Sequence, residues 1–72
     1  MELKWLANLC GGSAVEKVTP ISNGVYEVQI DYIQDKLFRM PILLYSGITC
    51  NIEEAQRLAL EKFKQLIEVG AV

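Results

Sequence analysis

Apolar and polar positions change period along the chain, and the changes mark five elements. Leu3, Leu6, Ala7 and Cys10 recur at helical spacing, which predicts a short helix over Glu2–Cys10. Trp5 and Leu9 fall toward its other side. Trp5 either packs against the strand that follows or stands exposed as a recognition residue. Gly11-Gly12 supplies a left-handed stop. From Ala14 to Ile21, Val15, Val18 and Thr19 read as a strand, and Pro20 confines it to an edge or a short length. Ser22-Asn23-Gly24 is a turn, because Asn and Gly tolerate positive φ.

The clearest strand is Val25–Ile33. Tyr26, Val28, Ile30 and Tyr32 alternate with Glu27, Gln29 and Asp31, giving one dry face and one wet face. After a turn at Gln34-Asp35-Lys36, a third strand is expected from Leu37 to about Tyr45. Phe38, Met40, Ile42 and Leu44 would face the core. Leu37, Arg39, Pro41, Leu43 and Tyr45 would face outward, an unusually apolar set for a solvated sheet face. The final helix starts at Asn51, a capping residue with Glu54 three positions on. Glu53 and Glu54 suit the positive end of the helix dipole, and Lys62 and Lys64 suit the other end. Ile52, Ala55, Ala59, Phe63 and Leu66 form its buried stripe, and Gly70 can end it.

The predicted fold class is therefore α+β, in the order α-β-β-β-α. Short turns predict an antiparallel meander in the order 1-2-3, with both helices packed on one face. The 72 residues make a single domain, 1–72. A chain of this length buries only about 60% of its unfolded surface, so a partner or a second copy would help to cover its apolar surplus.

Composition narrows the function. Net charge is −2 and histidine is absent, so nothing marks a general polyanion binder. Cys10 and Cys50 stand 40 positions apart without CxxC spacing or histidine, which leaves zinc without ligands and predicts two reduced, partly buried thiols, a disulfide forming only if the two segments meet. No cofactor is implied. No glycine-rich phosphate loop or nucleophile–base pair is present, so an enzyme is not expected. Glu53 and Glu54 diverge by about 100° on a helix, which suits capping better than paired acid–base chemistry. The apolar runs are too short to span a membrane, and MELKWLANLCGG lacks the basic flank and apolar length of a secretory signal. A cytosolic or nuclear location is the expectation.

With this order and length, the whole chain resembles a double-stranded RNA-binding domain. That family's last helix commonly opens with G-x-[ST]-K-K-x-A-K-x-x-A-A, and the matching stretch is TCNIEEAQRLALEKF. Ala55 and Ala59 fall on motif alanines, Leu60 replaces the second of the alanine pair, and Phe63 falls on a later apolar position. The first helix, LKWLANLC, is similar to the family's opening leucine-rich helix. The departures lie in the phosphate-binding positions. Ile52 and Glu53 stand for the two adjacent lysines, Gln56 stands for the next, and the basic histidine element is missing. Those lysines grip phosphates across the major groove of A-form RNA, and phosphate neutralisation supplies much of the affinity.

Degenerate members of the family that keep the alanines and lose the lysines bind proteins, either another copy or a partner enzyme. The resemblance therefore implies a protein-interaction module, homodimeric or docked to a partner. Its contacts would run along the third strand through Leu37, Arg39, Pro41, Leu43 and Tyr45. If RNA binding survives, Lys4, Lys17 and Arg57 are the cations left to carry it. Val25–Leu66 also resembles the DNA-binding arm domains of phage integrases, but its wet face carries Glu27, Gln29 and Asp31 where those carry cations. The same segment is similar to HicB-type antitoxins, and a small phage-encoded inhibitor also fits the acidic, compact character.

Overall fold

The computed structural model describes residues 2–36 and 40–72. Helix α1 (Glu2–Leu9) leads into strands β1 (Gly12–Ser22), β2 (Val25–Gln34) and β3 (Ile42–Thr49), and helix α2 (Ile52–Glu68) closes the chain. The strands form one antiparallel sheet in the order β1-β2-β3. The α+β class, the α-β-β-β-α order and the meander are as the patterning predicts.

Local chemistry sets the joints. Gly11 (φ 83°) turns the chain from α1 into β1, and Gly24 (φ 74°) closes the β1–β2 hairpin. The Asn51 side chain accepts the Glu54 N–H at 3.3 Å, capping α2. The reciprocal half of a capping box does not form. The Asn51 N–H donates instead to Thr49 Oγ1 at 2.9 Å, and the Thr49 hydroxyl donates to the Asn51 carbonyl at 3.1 Å. At the other end the Gly70 N–H bonds the Ile67 carbonyl and the Ala71 N–H bonds the Leu66 carbonyl, with Gly70 at φ 74°. These paired bonds are a Schellman termination.

Both helices share the dry face. Leu3 and Ala7 of α1, Val28, Ile30 and Tyr32 of β2, Leu44 of β3, and Ala55, Ala59 and Phe63 of α2 make one buried core. The rings of Tyr32 and Phe63 lie 4.7 Å apart, tilted by 46°. The alanines let α2 lie close to the sheet. Trp5 remains 63% exposed and Leu9 64%, so Trp5 does not pack into the core.

The third strand differs from the expectation. It begins at Ile42 and runs to Thr49, past the predicted end at Tyr45. Its register with β2 slips between Ile30↔Tyr45 and Asp31↔Leu43, which leaves Leu44 as an extra residue. Such a bulge reverses the inside–outside alternation beyond it. Leu44 is buried and Leu43 is exposed, as expected. Tyr45 instead falls opposite Ile30 on the dry side, half-buried against the core. Met40, expected inside, is 83% exposed ahead of the strand. Leu37, Phe38 and Arg39 lie outside the described residues.

Candidate protein-interaction surface

The sheet has two edges, and they differ in chemistry. β1 carries Glu16, Lys17 and Pro20, the devices that protect an edge from pairing with another chain. β3 reads ILLYSGIT, with no charge and no proline. Among the described residues no strand pairs with its outer side, and Pro41 is exposed immediately before it.

Side chains flank this edge on both sides of the sheet. On the outer face, away from the helices, Leu43 is 51% exposed and Ile48 is 67% exposed. Leu43 lies opposite Asp31, and Ile48 lies opposite Glu27. Across the same face, Val15 and Ile33 are also exposed. The centre of the face is polar, built from Glu27, Gln29 and Asp31, with Lys17 opposite Gln29. The apolar residues thus gather at the β3 margin and at one corner of the sheet.

On the helix side, α2 lies more over β3 than over β2. Its rotation is fixed by Gln56, whose amide donates to both oxygens of the Glu16 carboxylate on β1, at 2.9 and 3.3 Å. Gln56 therefore points to the β1 side. The opposite flank of α2, which holds Leu58 and Lys62, lies above the β3 edge. Leu58 is 38% exposed. The Tyr45 side chain folds along the strand over Gly47, and a Cβ at Gly47 would come 3.1 Å from its hydroxyl oxygen. One uncharged strand is thus lined by Leu43 and Ile48 below and by Tyr45 and Leu58 above. Ile48 and Leu58 were not singled out by sequence reasoning. The bulge within β3 has no sequence signature, and Leu58 lies off α2's buried stripe as its exposed large apolar residue among the described residues.

Of the residues expected at this surface, Pro41 and Leu43 are exposed at the β3 margin and Tyr45 sits on its core side. Leu37 and Arg39 lie outside the described residues. The three candidate RNA-contacting cations do not converge. Lys4 is on α1 and Lys17 is on the outer face of the sheet. Arg57 is on α2, where its guanidinium meets Glu61 at 3.0 Å and Glu54 at 3.9 Å.

The motif positions that would hold phosphate are otherwise occupied. Ile52 is half-buried against the core, Gln56 is bound to Glu16, and Glu53 and Glu54 make the start of α2 negative. Cys10 is half-buried, Cys50 is exposed, and neither is in a disulfide. Among the described residues no group of acidic, cysteine or histidine side chains could hold a metal ion, and no helix is long and apolar enough to cross a membrane. Comparison with protein-family models, curated proteins and solved structures gives no match to this chain.

Proposed function

We propose that this domain is a non-catalytic protein-interaction module that binds another polypeptide along the edge of β3. The observation that carries this reading is the uncharged edge strand Ile42–Thr49, flanked by exposed Leu43 and Ile48. An unprotected edge offers main-chain hydrogen bonds to an added strand, and side chains beside it supply apolar burial. The other edge, with Glu16, Lys17 and Pro20, lacks this character. The occupied lysine positions of the RNA-binding motif support the same reading, because the start of α2 presents carboxylates where a phosphate binder needs cations.

The experiment is site-specific photocrosslinking in the source cells, with a crosslinking residue at position 43 or 48 and a control at Lys17 on the β1 side. The module predicts discrete adducts from positions 43 and 48 and none from position 17. Equal labelling from all three positions, or no adducts at all, would overturn the reading.

A further inference from the structure

From the pattern of charge beside the β3 edge we infer that the polypeptide it takes is a second copy of this chain, joined across a two-fold axis that passes Gly47 and Leu58. This rests on the edge reading above and names its occupant. After the bulge at Leu44, the regular part of β3 runs from Tyr45 to Thr49, and Gly47 is its middle residue. Two such strands pair antiparallel about Gly47, with Tyr45 opposite Thr49 and Ser46 opposite Ile48 of the second copy. Each pair then points to a single face of the joined sheet, as antiparallel pairing requires.

The helix falls into the same symmetry. Two residues, Cys50 and Asn51, separate β3 from α2, which packs back over the strand. At about 1.5 Å per helical residue, Leu58 lies roughly 9 Å in from Ile52. At about 3.3 Å per strand residue, that is level with Ser46 and Gly47. An axis through Gly47 therefore brings Leu58 against Leu58 of the second copy. Helices related by that axis run antiparallel, so Glu54 comes opposite Lys62 of the second copy, and Lys62 opposite Glu54. The two charges lie equally far from Leu58, one on each side, and this spacing makes the flank complementary to itself. Among the described residues the Glu54 carboxylate has one ionic contact, with Arg57 at 3.9 Å, and both side chains are more than half exposed, so this pair holds it weakly. A strand pair alone falls short of the roughly 800 Å² per partner of a stable complex, and the helix contact extends it on one side while Leu43 and Ile48 extend it on the other.

The test is sedimentation equilibrium at low salt of the purified wild-type chain, Glu54→Lys, Lys62→Glu, and an equimolar mixture of the two variants. Circular dichroism first establishes that all three chains share one fold. The wild type should approach twice its 8.1 kDa mass with concentration. Each variant alone faces like charges at both pairs and should dissociate about ten-fold more readily. The mixture should recover, because one variant then carries cations at both positions and the other carries anions. A dimer indifferent to both variants, or a mixture that stays as weak as its components, overturns the proposed arrangement. A wild type monomeric throughout overturns the second copy as occupant. If that monomer still gives adducts from positions 43 and 48 in cells, the edge reading stands with a different partner. If it gives none, both fail.

Discussion

The ring of Tyr32 fills the space beside Gly12 that any side chain there would need. A Cβ at Gly12 would lie 2.7 Å from the ring and would also run into the Ile33 carbonyl oxygen. Tyr32 is fully buried, and its hydroxyl donates to the Cys10 carbonyl at 3.1 Å, so the ring cannot swing away cheaply. Gly12 thus marks where the end of α1 is pressed onto the sheet. Gly12→Ala should destabilise the domain at the upper end of the roughly 1–3 kcal/mol range for overpacking. For a domain of this size that is a fall in Tm of about ten degrees or more by thermal denaturation. An unchanged Tm would mean that the α1–β1 junction gives way more easily than this packing implies.

The same tyrosine makes stability depend on alkaline pH. Its pKa is raised above the usual 10.0, first by burial and then by neighbouring Cys10 and Asp35, against a smaller opposing hydrogen bond from Gln34. Because the folded pKa lies above the unfolded one, the contribution is complete below pH 10 and fades as pH rises through the raised value. Tyr32→Phe keeps the ring and loses the bond to the Cys10 carbonyl, at a cost of about 1 kcal/mol near neutrality. Urea denaturation of both chains across pH 8–12 should show the difference between them shrinking above pH 10. A constant difference would locate the alkaline sensitivity elsewhere.

Much of this arrangement is readable from the sequence because it depends on local periodicity. Tyr26, Val28, Ile30 and Tyr32 alternate cleanly, and Ala55, Ala59 and Phe63 recur at helical spacing, so each element declares its buried face. The third strand does not. Its run from Pro41 to Tyr45 is apolar at every position, so alternation cannot assign a face. The bulge at Leu44 then depends on how β3 meets β2, which no local pattern encodes. That is why simple alternation puts Tyr45 outside while it lies inside, and why it gives no sign of Ile48 at the candidate surface. Leu43 precedes the bulge, so an alternation carried on from the polar Arg39 of the sequence still gives its outward face. Gln56 stands out in the sequence only as a missing lysine, and its bond to Glu16 joins residues 40 positions apart.

The cap of α2 also yields a measurable effect. Asn51 accepts the Glu54 N–H and passes its own N–H to Thr49, which fixes the tight reversal from β3 into the helix. Asn51→Ala removes the side-chain acceptor and keeps the backbone bond to Thr49. The expected loss is about 1 kcal/mol by chemical denaturation. Asn51→Asp should retain the cap and gain slightly from the helix dipole. If the two variants proved equally unstable, the Asn51 side chain would not be the cap in solution.

Duplex RNA gives the last prediction, and it turns on the three positions where the resembling motif has lysines. Ile52 packs against the core, so it cannot reach a groove without leaving it. Gln56 is held by Glu16 across the sheet, and a lysine there would be drawn into an ion pair with that carboxylate. Position 53 alone is exposed and free of both constraints, and it holds a glutamate. The wild type titrated against an RNA duplex of about 20 base pairs, longer than the roughly 16 that such domains span, should bind weakly and no better than to DNA. Glu53→Lys exchanges one repulsive group for one phosphate contact. It should steepen the salt dependence by about one unit in log K against log salt, for RNA and DNA alike. Selectivity for RNA should not appear, because selectivity needs several contacts spaced to the A-form grooves and the other two positions are committed inside the fold. Tight, RNA-selective binding by the wild type in fluorescence anisotropy would reverse this. The groove contacts would then have to come from α1 and the strand connections, and the carboxylates at the start of α2 would lie clear of the RNA.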